Sequence, residues 1–335
     1  MRLTAKLLEL DHLYIDKEVG DIYNKNEVLQ DHNIKIIDNG ITYINHKQLS
    51  ASGLIFEDIQ MSFNKPVTDL FQIEGESIIM EFIFTSAVDS SIEHLEWIKL
   101  YETNTHNLIY ASNYKGRFKI NPNIPISFIT IILSKDFYFK LIPQNLTLHT
   151  AFSSHILNGN TNTLYPNYLP FNPYIHAVIQ EIRNCKHTGE LQRLYIETKI
   201  QELLVLQLEI YQQQDSLKQQ VGLSKYDFEK IQEVKKILDH DFNSASSHSE
   251  LSKRVSLNEF KLKKGFKAYY GITIKSYVIS LRMKKAIMLL ERKEYNIGEI
   301  AYLCGYNGLV QFSTAFKTFY GYSPKNVQNG MDRKN

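Results

Sequence analysis

GFKAYYG (residues 265–271) and AFKTFYG (residues 315–321) are one phrase written twice, 50 residues apart. Superposed, they carry Leu262 onto Phe312, Phe266 onto Phe316, Lys267 onto Lys317, Tyr270 onto Tyr320, Thr273 onto Ser323 and Lys275 onto Lys325. Upstream, Leu251-Ser252 answers Ile300-Ala301 at an offset of 49, so the second copy has one more residue in its turn. Leu262 and Phe266, like Phe312 and Phe316, stand four apart and so share one face of a helix. SHSE (residues 247–250) has the form of a capping box, and NIGE (residues 296–299) repeats it with asparagine as the cap. Gly271 and Gly321 stand where a helix ends in the left-handed conformation, and Ser323-Pro324 suits a cap followed by a first-turn proline. Each copy predicts a short capped helix, a tight turn and a longer helix: a helix-turn-helix unit, twice. Between them, KSYVISLRMKKAIMLLERK (residues 275–293) has helical apolar spacing at Tyr277, Leu281, Ala286, Leu289 and Leu290, and is expected to hold the copies at a fixed separation.

The rest of the chain divides by period. Residues 1–160 read as strands: Asn39-Gly40 between IKII and ITYI is a hairpin signal, and SIIMEFIF (residues 77–84) and PISFITIIL (residues 125–133) are rich in β-branched and aromatic residues. Many short strands separated by turns predict a β-sandwich or small barrel. Residues 161–211 form a helical connector. From Tyr174 to Tyr211 a helical pattern runs, interrupted only by Gly189, with a wide apolar face at Ile196, Ile200, Leu203, Leu204, Leu206, Leu208 and Ile210. Such a face is buried, either on the β domain or against the same helix of a second subunit. QQQDSLKQQ (residues 212–220), followed by Gly222, reads as a linker within residues 212–223. Residues 224–330 are all helical. The fold class is therefore α+β, an N-terminal β domain and a C-terminal all-α domain.

Charge separates the same parts. Over residues 221–335 there are 20 Lys+Arg and 11 Asp+Glu, a net +9, against a net −7 for residues 1–220. Residues 251–293 alone carry 12 basic and two acidic residues, and residues 294–335 four and three. This asymmetry points to a polyanion partner for the first copy and the helix after it. A recognition helix lying in the major groove of double-stranded DNA reads base edges from its first turns, so the doubled unit and its charge together predict DNA binding.

IGEIAYLCGYNGLVQFSTAFKTFYGYSP (residues 297–324) resembles the signature of the AraC/XylS family of bacterial transcription regulators, at Ile300-Ala301, Gly305-Tyr306, Phe312, Phe316-Lys317, Gly321 and Ser323-Pro324. LNEFKLKKGFKAYYG (residues 257–271) and LRMKKAIMLL (residues 281–290) fit it too, most closely in the branch that includes siderophore-responsive activators. The resemblance covers about 110 C-terminal residues; over the first 220 it rests on layout. It implies a cupin-like N-terminal sensor domain that binds a small-molecule effector or mediates homodimerisation, an activator working with RNA polymerase, and no cofactor. It also implies a first recognition helix after the cap Asn258, with Phe260, Lys263 and Lys264 facing bases and Lys261 and Lys267 reaching phosphates. In the second copy the corresponding positions are Leu309, Val310, Gln311 and Thr314, with Asn307 and Lys317 beside them. Thr314 stands where a basic residue is common, which predicts unequal roles for the two copies.

Enzyme classes lack their motifs. The 11 histidines form no H-x-H or H-x-x-x-H pair, and there is no phosphate loop or nucleophile elbow, which leaves a cupin-type enzyme fused to a DNA-binding domain without support. Two cysteines make neither a disulfide framework nor a zinc set; Cys304 is expected in the core and Cys185 as an ordinary helical residue. The longest apolar run, ISFITIIL (residues 126–133), is too short to span a bilayer, and Glu9 and Asp11 interrupt the start where a signal peptide needs apolar residues, so a cytoplasmic protein is expected.

Overall fold

The computed structural model describes residues 1–85, 88–95, 104–165, 168–171, 173–242, 247–270, 272–292, 294–320 and 323–328. They divide into two compact units, Met1–Gln212 and Gln213–Asn335. In the first, the described strands are β1 (Arg2–Leu7), β2 (His12–Glu18), β3 (Gln30–Asp38), β4 (Ile41–Ala51), β5 (Leu54–Phe63), β6 (Val67–Thr85), β7 (Val88–Ile92), β8 (Thr105–Ile120), β9 (Ile126–Ser134), β10 (Asn162–Thr163) and β11 (Leu169–Pro170). All belong to one antiparallel sheet whose main path runs β10-β8-β6-β9-β5-β4-β3. Gly40 makes the β3–β4 hairpin at φ +93°, as the Asn39-Gly40 pair predicts.

β6 explains why the sheet curls. It is 19 residues long and breaks register between Glu74 and Ser77, where Gly75 takes φ +99°. Its first half pairs with β1, its second half with β9, and β8 follows it throughout. A bulge that hands one strand from one neighbour to another bends the sheet, here into a curled half-barrel. Alternation then sorts the side chains. Ile55, Ile59, Phe71, Ile79 and Ile132 fill the concave face, while Phe56, Ile78, Met80, Phe82 and Ile131 face the other way, onto helices.

Those helices correct the reading of residues 1–160 as strands alone. α1 (Lys135–Leu141) and α2 (Thr150–Leu157) lie within them. Ser134 caps α1 by accepting from the Phe137 N–H at 3.1 Å, and Phe137, Tyr138, Phe152 and Ile156 are buried on the convex side. Helical spacing so short is hidden beside a long apolar strand. The continuous pattern from Tyr174 to Tyr211 is two helices, α3 (Pro173–Arg183) and α4 (Gly189–Val221), separated where Gly189 takes φ +62°. Ile196, Ile200, Leu203, Leu204 and Leu208 of α4 are buried in the core of their own domain, the first of the two expected placements. Arg183 ties α3 to the sheet through two 2.8 Å hydrogen bonds to Asp58, its guanidinium 4.2 Å above the Phe84 ring. The glutamine-rich stretch is no break in secondary structure: α4 continues through it to Val221. Gln, Leu and Lys are good helix formers, and the helix ends only at Gly222, φ +56°.

The second unit holds α5 (Lys225–His240), α6 (His248–Arg254), α7 (Glu259–Tyr270), α8 (Ile274–Arg292), α9 (Ile297–Leu303), α10 (Leu309–Tyr320) and α11 (Pro324–Gln328). The repeat is visible down to single hydrogen bonds. Ser247 and Asn296 both form capping boxes, with Glu250 and Glu299. After α6 the Leu257 N–H donates to Ser252 O at 2.9 Å, and after α9 the Tyr306 N–H donates to Ala301 O at 3.0 Å. This is the same six-residue closure, with a left-handed residue at its corner. That residue is Gly305 in the second copy, φ +77°, and Ser256 in the first, φ 54°. A left-handed L-residue costs about 1–2 kcal/mol, partly offset because glycine loses more entropy on folding. Ser256→Gly is therefore expected to stabilise the second unit by about 0.5–1 kcal/mol, and Gly305→Ala to destabilise it by a similar amount, both read from thermal unfolding. The helix-ending Gly271 and Gly321 lie outside the described residues.

Each unit has its own core. Ile231, Leu238, Leu251, Leu262 and Phe266 form the first with Tyr277 of α8; Ile300, Phe312 and Phe316 form the second with Met283, Ala286 and Leu290 of α8. The one difference at the start of the repeated phrase has a cause: a Cβ on Gly265 would lie 2.5 Å from Ile231 Cδ1 on α5, whereas the superposed residue is Ala315. Cys304 is buried, and burial pushes its thiol up to about 11, so it behaves as core.

Candidate nucleic-acid interface

α7 and α10 are the second helices of the two units, and their first turns carry the residues singled out above. On α7 the Asn258 side chain accepts from the Phe260 N–H at 2.8 Å and fixes the start of the helix. Leu262, Gly265 and Phe266 point into the core, which leaves Phe260, Lys263, Lys264 and Lys267 together on the outer face. Phe260 is 62% exposed. On α10, Phe312 and Phe316 are buried, and Leu309, Val310, Gln311, Thr314 and Lys317 are exposed, as is Asn307 in the turn before them. Val310 is 79% exposed and superposes on Phe260 in the repeat.

The lysines are not equivalent. Lys261 Nζ lies 2.9 Å from Asp227 Oδ2. Asp227 also closes the capping box of α5, and its carboxyl sits below the usual range because the Ser224 backbone N–H and then Lys261 bond to it. Lys261 thus ties α7 to the start of α5 rather than standing open to a phosphate, a contact that a sequence offset of 34 hides. Lys263 Nζ pairs with Glu259 Oε1 at 2.6 Å one turn back. Lys264 and Lys267 are exposed and make no ion pair among the described residues. On α8, Arg282 donates to Phe242 O at 3.3 Å and stacks 5.3 Å from the Tyr306 ring centre, so part of that helix's charge is spent on holding the fold.

Sequence reading missed two exposed residues of the first helices: Arg254 in the last turn of α6 and Tyr302 on α9. The signal for Tyr302 was available, since an aromatic stands off the Ile300-Ala301 core positions. Exposed base-sized side chains on α7 and α10, with cations around them, can reach groove edges and phosphates. Nothing in this arrangement resembles a catalytic centre, and no group of His, Cys, Asp and Glu fit to hold a metal ion occurs among the described residues. No described helix is long and apolar enough to cross a membrane.

Comparison with known proteins agrees on both halves. Residues 251–330 match a helix-turn-helix domain family, and residues 44–223 match the family described as the regulatory protein PchR N-terminal domain. The chain is 26% identical over 216 residues to the Msm operon regulatory protein of Streptococcus mutans, covering 63% of this chain and 72% of that protein. It is 27% identical over 171 residues to the HTH-type transcriptional activator RhaS of Escherichia coli, covering 50% of this chain and 59% of that one. Among solved structures, the C-terminal domain of the two-component response regulator yesN from Fusobacterium nucleatum is 31% identical over 29% of this chain and 95% of its own, with a TM-score of 0.28. The duplicated unit, the curled sheet before it and these two matches place the chain in the AraC/XylS family of DNA-binding transcriptional regulators, a non-enzymatic family, with a PchR-type N-terminal domain.

Proposed function

We propose that the chain is an effector-responsive transcriptional activator whose two recognition helices, α7 and α10, enter successive major grooves about one helical turn apart. The observation that supports this best is the repeated exposure pattern on two helices hung from a single α8. Phe260, Lys263, Lys264 and Lys267 provide the first contact; Asn307, Leu309, Val310, Gln311, Thr314 and Lys317 provide the second. With a net +10 over residues 251–293, the first copy anchors on the backbone. The second carries little charge and reads bases through apolar and amide contacts, Val310 fitting a thymine methyl and Gln311 an adenine edge. Lys261, being paired to Asp227, positions α7 rather than binding phosphate.

Activation is supported by the name of the RhaS relative, a transcriptional activator, and an activator of this kind takes RNA polymerase as its partner. A homodimer is supported by α4, whose outward side exposes Leu191, Leu194 and Val205 at coiled-coil-like spacing while its other side is buried. An effector is supported by a cavity on the concave face of the sheet. The PchR-type domain favours a narrower second reading, a regulator of siderophore or metal uptake.

A mobility shift with DNA from upstream of the chain's own gene, with DNase footprinting of the complex, tests the reading. The expected result is a retarded complex with protection spanning two adjacent grooves per protomer. Binding with no sequence preference, or protection of one groove only, would count against it.

A further inference from the structure

The concave face of the half-barrel carries acid where a filled core would carry hydrocarbon. Glu57 on β5 lies on the side of Ile55 and Ile59, and on β6 Asp69 lies on the side of Phe71, and Glu81 on that of Ile79 and Ile83. All three carboxyls are buried. Glu57 is held by the His46 ring and by Gln48 Nε2, which donates at 2.8 Å. Glu81 accepts from Tyr114 Oη at 2.8 Å and from Tyr168 Oη. Asp69 Oδ2 accepts from Tyr14 Oη at 2.8 Å. Five of these six oxygens have a donor; among the described residues Asp69 Oδ1 has none, although Asp69 is only 1% exposed.

Asp69 and Glu81 line a cavity of about 60 Å³. Its other walls include Phe71, Tyr114, Phe118 and Phe128, and among the described residues no Lys, Arg or His lines it. A buried carboxyl oxygen without a donor is costly and needs an explanation. Two acids with no base among the described lining residues repel an anion, and aromatic faces beside a carboxylate are the surroundings that favour an organic cation.

We propose that this cavity binds a small organic cation, an ammonium or amidinium head on a compact apolar body, the head donating to Asp69 Oδ1 and the body lying among Phe71, Phe118 and Phe128. This rests on the effector reading above and names the chemical class of the effector. Ionisation of the site falls in the neutral range: burial raises the Asp69 carboxyl to about 7, with the Tyr14 hydrogen bond acting against it. Among the described residues, the other titratable groups facing this region are Glu81, Tyr114 and Tyr168 on one side and Glu57, His46 and, farther out, Lys17 on the other. A cation binds the ionised form, so its affinity rises with pH through this range.

The test uses the full chain and three probes of one shape: 2-phenylethylamine, neutral 2-phenylethanol and anionic 3-phenylpropionate, each measured by calorimetry and thermal shift at pH 6 and pH 8. The expected result is binding of the amine that is several-fold tighter at pH 8, at least tenfold weakening by Asp69→Asn, and no binding of the acid. Asp69→Asn keeps the shape and an acceptor for Tyr14, and its own thermal midpoint reports that it folds. The proposal is overturned if the alcohol or the acid binds as tightly as the amine, if Asp69→Asn leaves amine binding unchanged, or if no probe binds. Binding of the alcohol or acid would leave an effector site of different chemistry. No binding at all, together with unaltered DNA affinity when Thr130→Phe fills the cavity, would remove the effector reading as well.

Discussion

Replacing Lys263 and Lys264 together with alanine is expected to weaken DNA binding on the order of tenfold at physiological salt. If α7 anchors on the backbone as proposed, with both lysines on phosphates rather than on the bases that the family resemblance implies, the same change should reduce the slope of log affinity against log salt by about 1.8, since each phosphate contact contributes about 0.9. The two lysines should not share the loss equally. Lys263 already holds Glu259 at 2.6 Å and must exchange that partner for a phosphate, whereas Lys264 has no carboxylate among the described residues to leave. Lys264→Ala alone should therefore account for most of the effect. Gln311→Ala/Thr314→Ala should leave the slope unchanged and instead erode discrimination between preferred and altered sites, by about 1–3 kcal/mol for a lost bidentate base contact. Binding isotherms at four or five salt concentrations on matched and mismatched DNA separate the two effects. Equal slope changes in both double variants would refute a division of labour between α7 and α10.

Phe316→Ala and Phe266→Ala each empty the centre of a separate core, and each is expected to cost about 3–5 kcal/mol. Against a domain stability of about 5–15 kcal/mol this is enough to open part of the structure. The cores are built on different halves of α8, with Tyr277 serving one and Met283, Ala286 and Leu290 the other. Phe316→Ala should then lose hydrogen-exchange protection in α9 and α10 while α6 and α7 keep theirs. Such a variant should retain most of its salt-dependent affinity and lose its sequence preference. Phe266→Ala should do the reverse. Loss of protection throughout the second unit in both variants would show instead that α8 couples the cores into one cooperative block.

The C-terminal unit was legible because the chain states it twice, and a repeat filters accident from pattern. Caps, core positions and the six-residue turn all recur at an offset of 49 or 50, so Ser256 and Gly305 identify each other as corners despite different side chains. The ion pair of Lys261 was not legible, because its partner belongs to another helix's cap. The β domain was legible only as a kind of structure. Glu57-Asp58 sits in LIFEDIQM and Glu81 in IIMEFIF, and alternation says which side each acid faces without saying that both sides are covered. Asp58 meets Arg183 under α3, while Glu57 and Glu81 lie on the opposite side, which the bend of β6 at Gly75 makes concave. That curvature is a property of pairing between distant strands, and it makes a cavity out of residues that read singly as surface. The glutamine-rich stretch failed for a different reason: polar composition marks the edge of a compact unit, but composition alone does not unwind a helix.

The unbroken run of α8 has a mechanical consequence. Nineteen residues at about 1.5 Å each make a rod of about 28 Å. A rod of this kind does not stretch, and neither core built upon it can slide along it without losing its buried aromatics. In the two-groove complex proposed above, the spacing that α8 sets is fixed, so the adjustment falls on the softer body, the DNA. Sequences that bend readily between the two contacted grooves will be preferred at base pairs no side chain touches, so the operator will be chosen partly for its compliance.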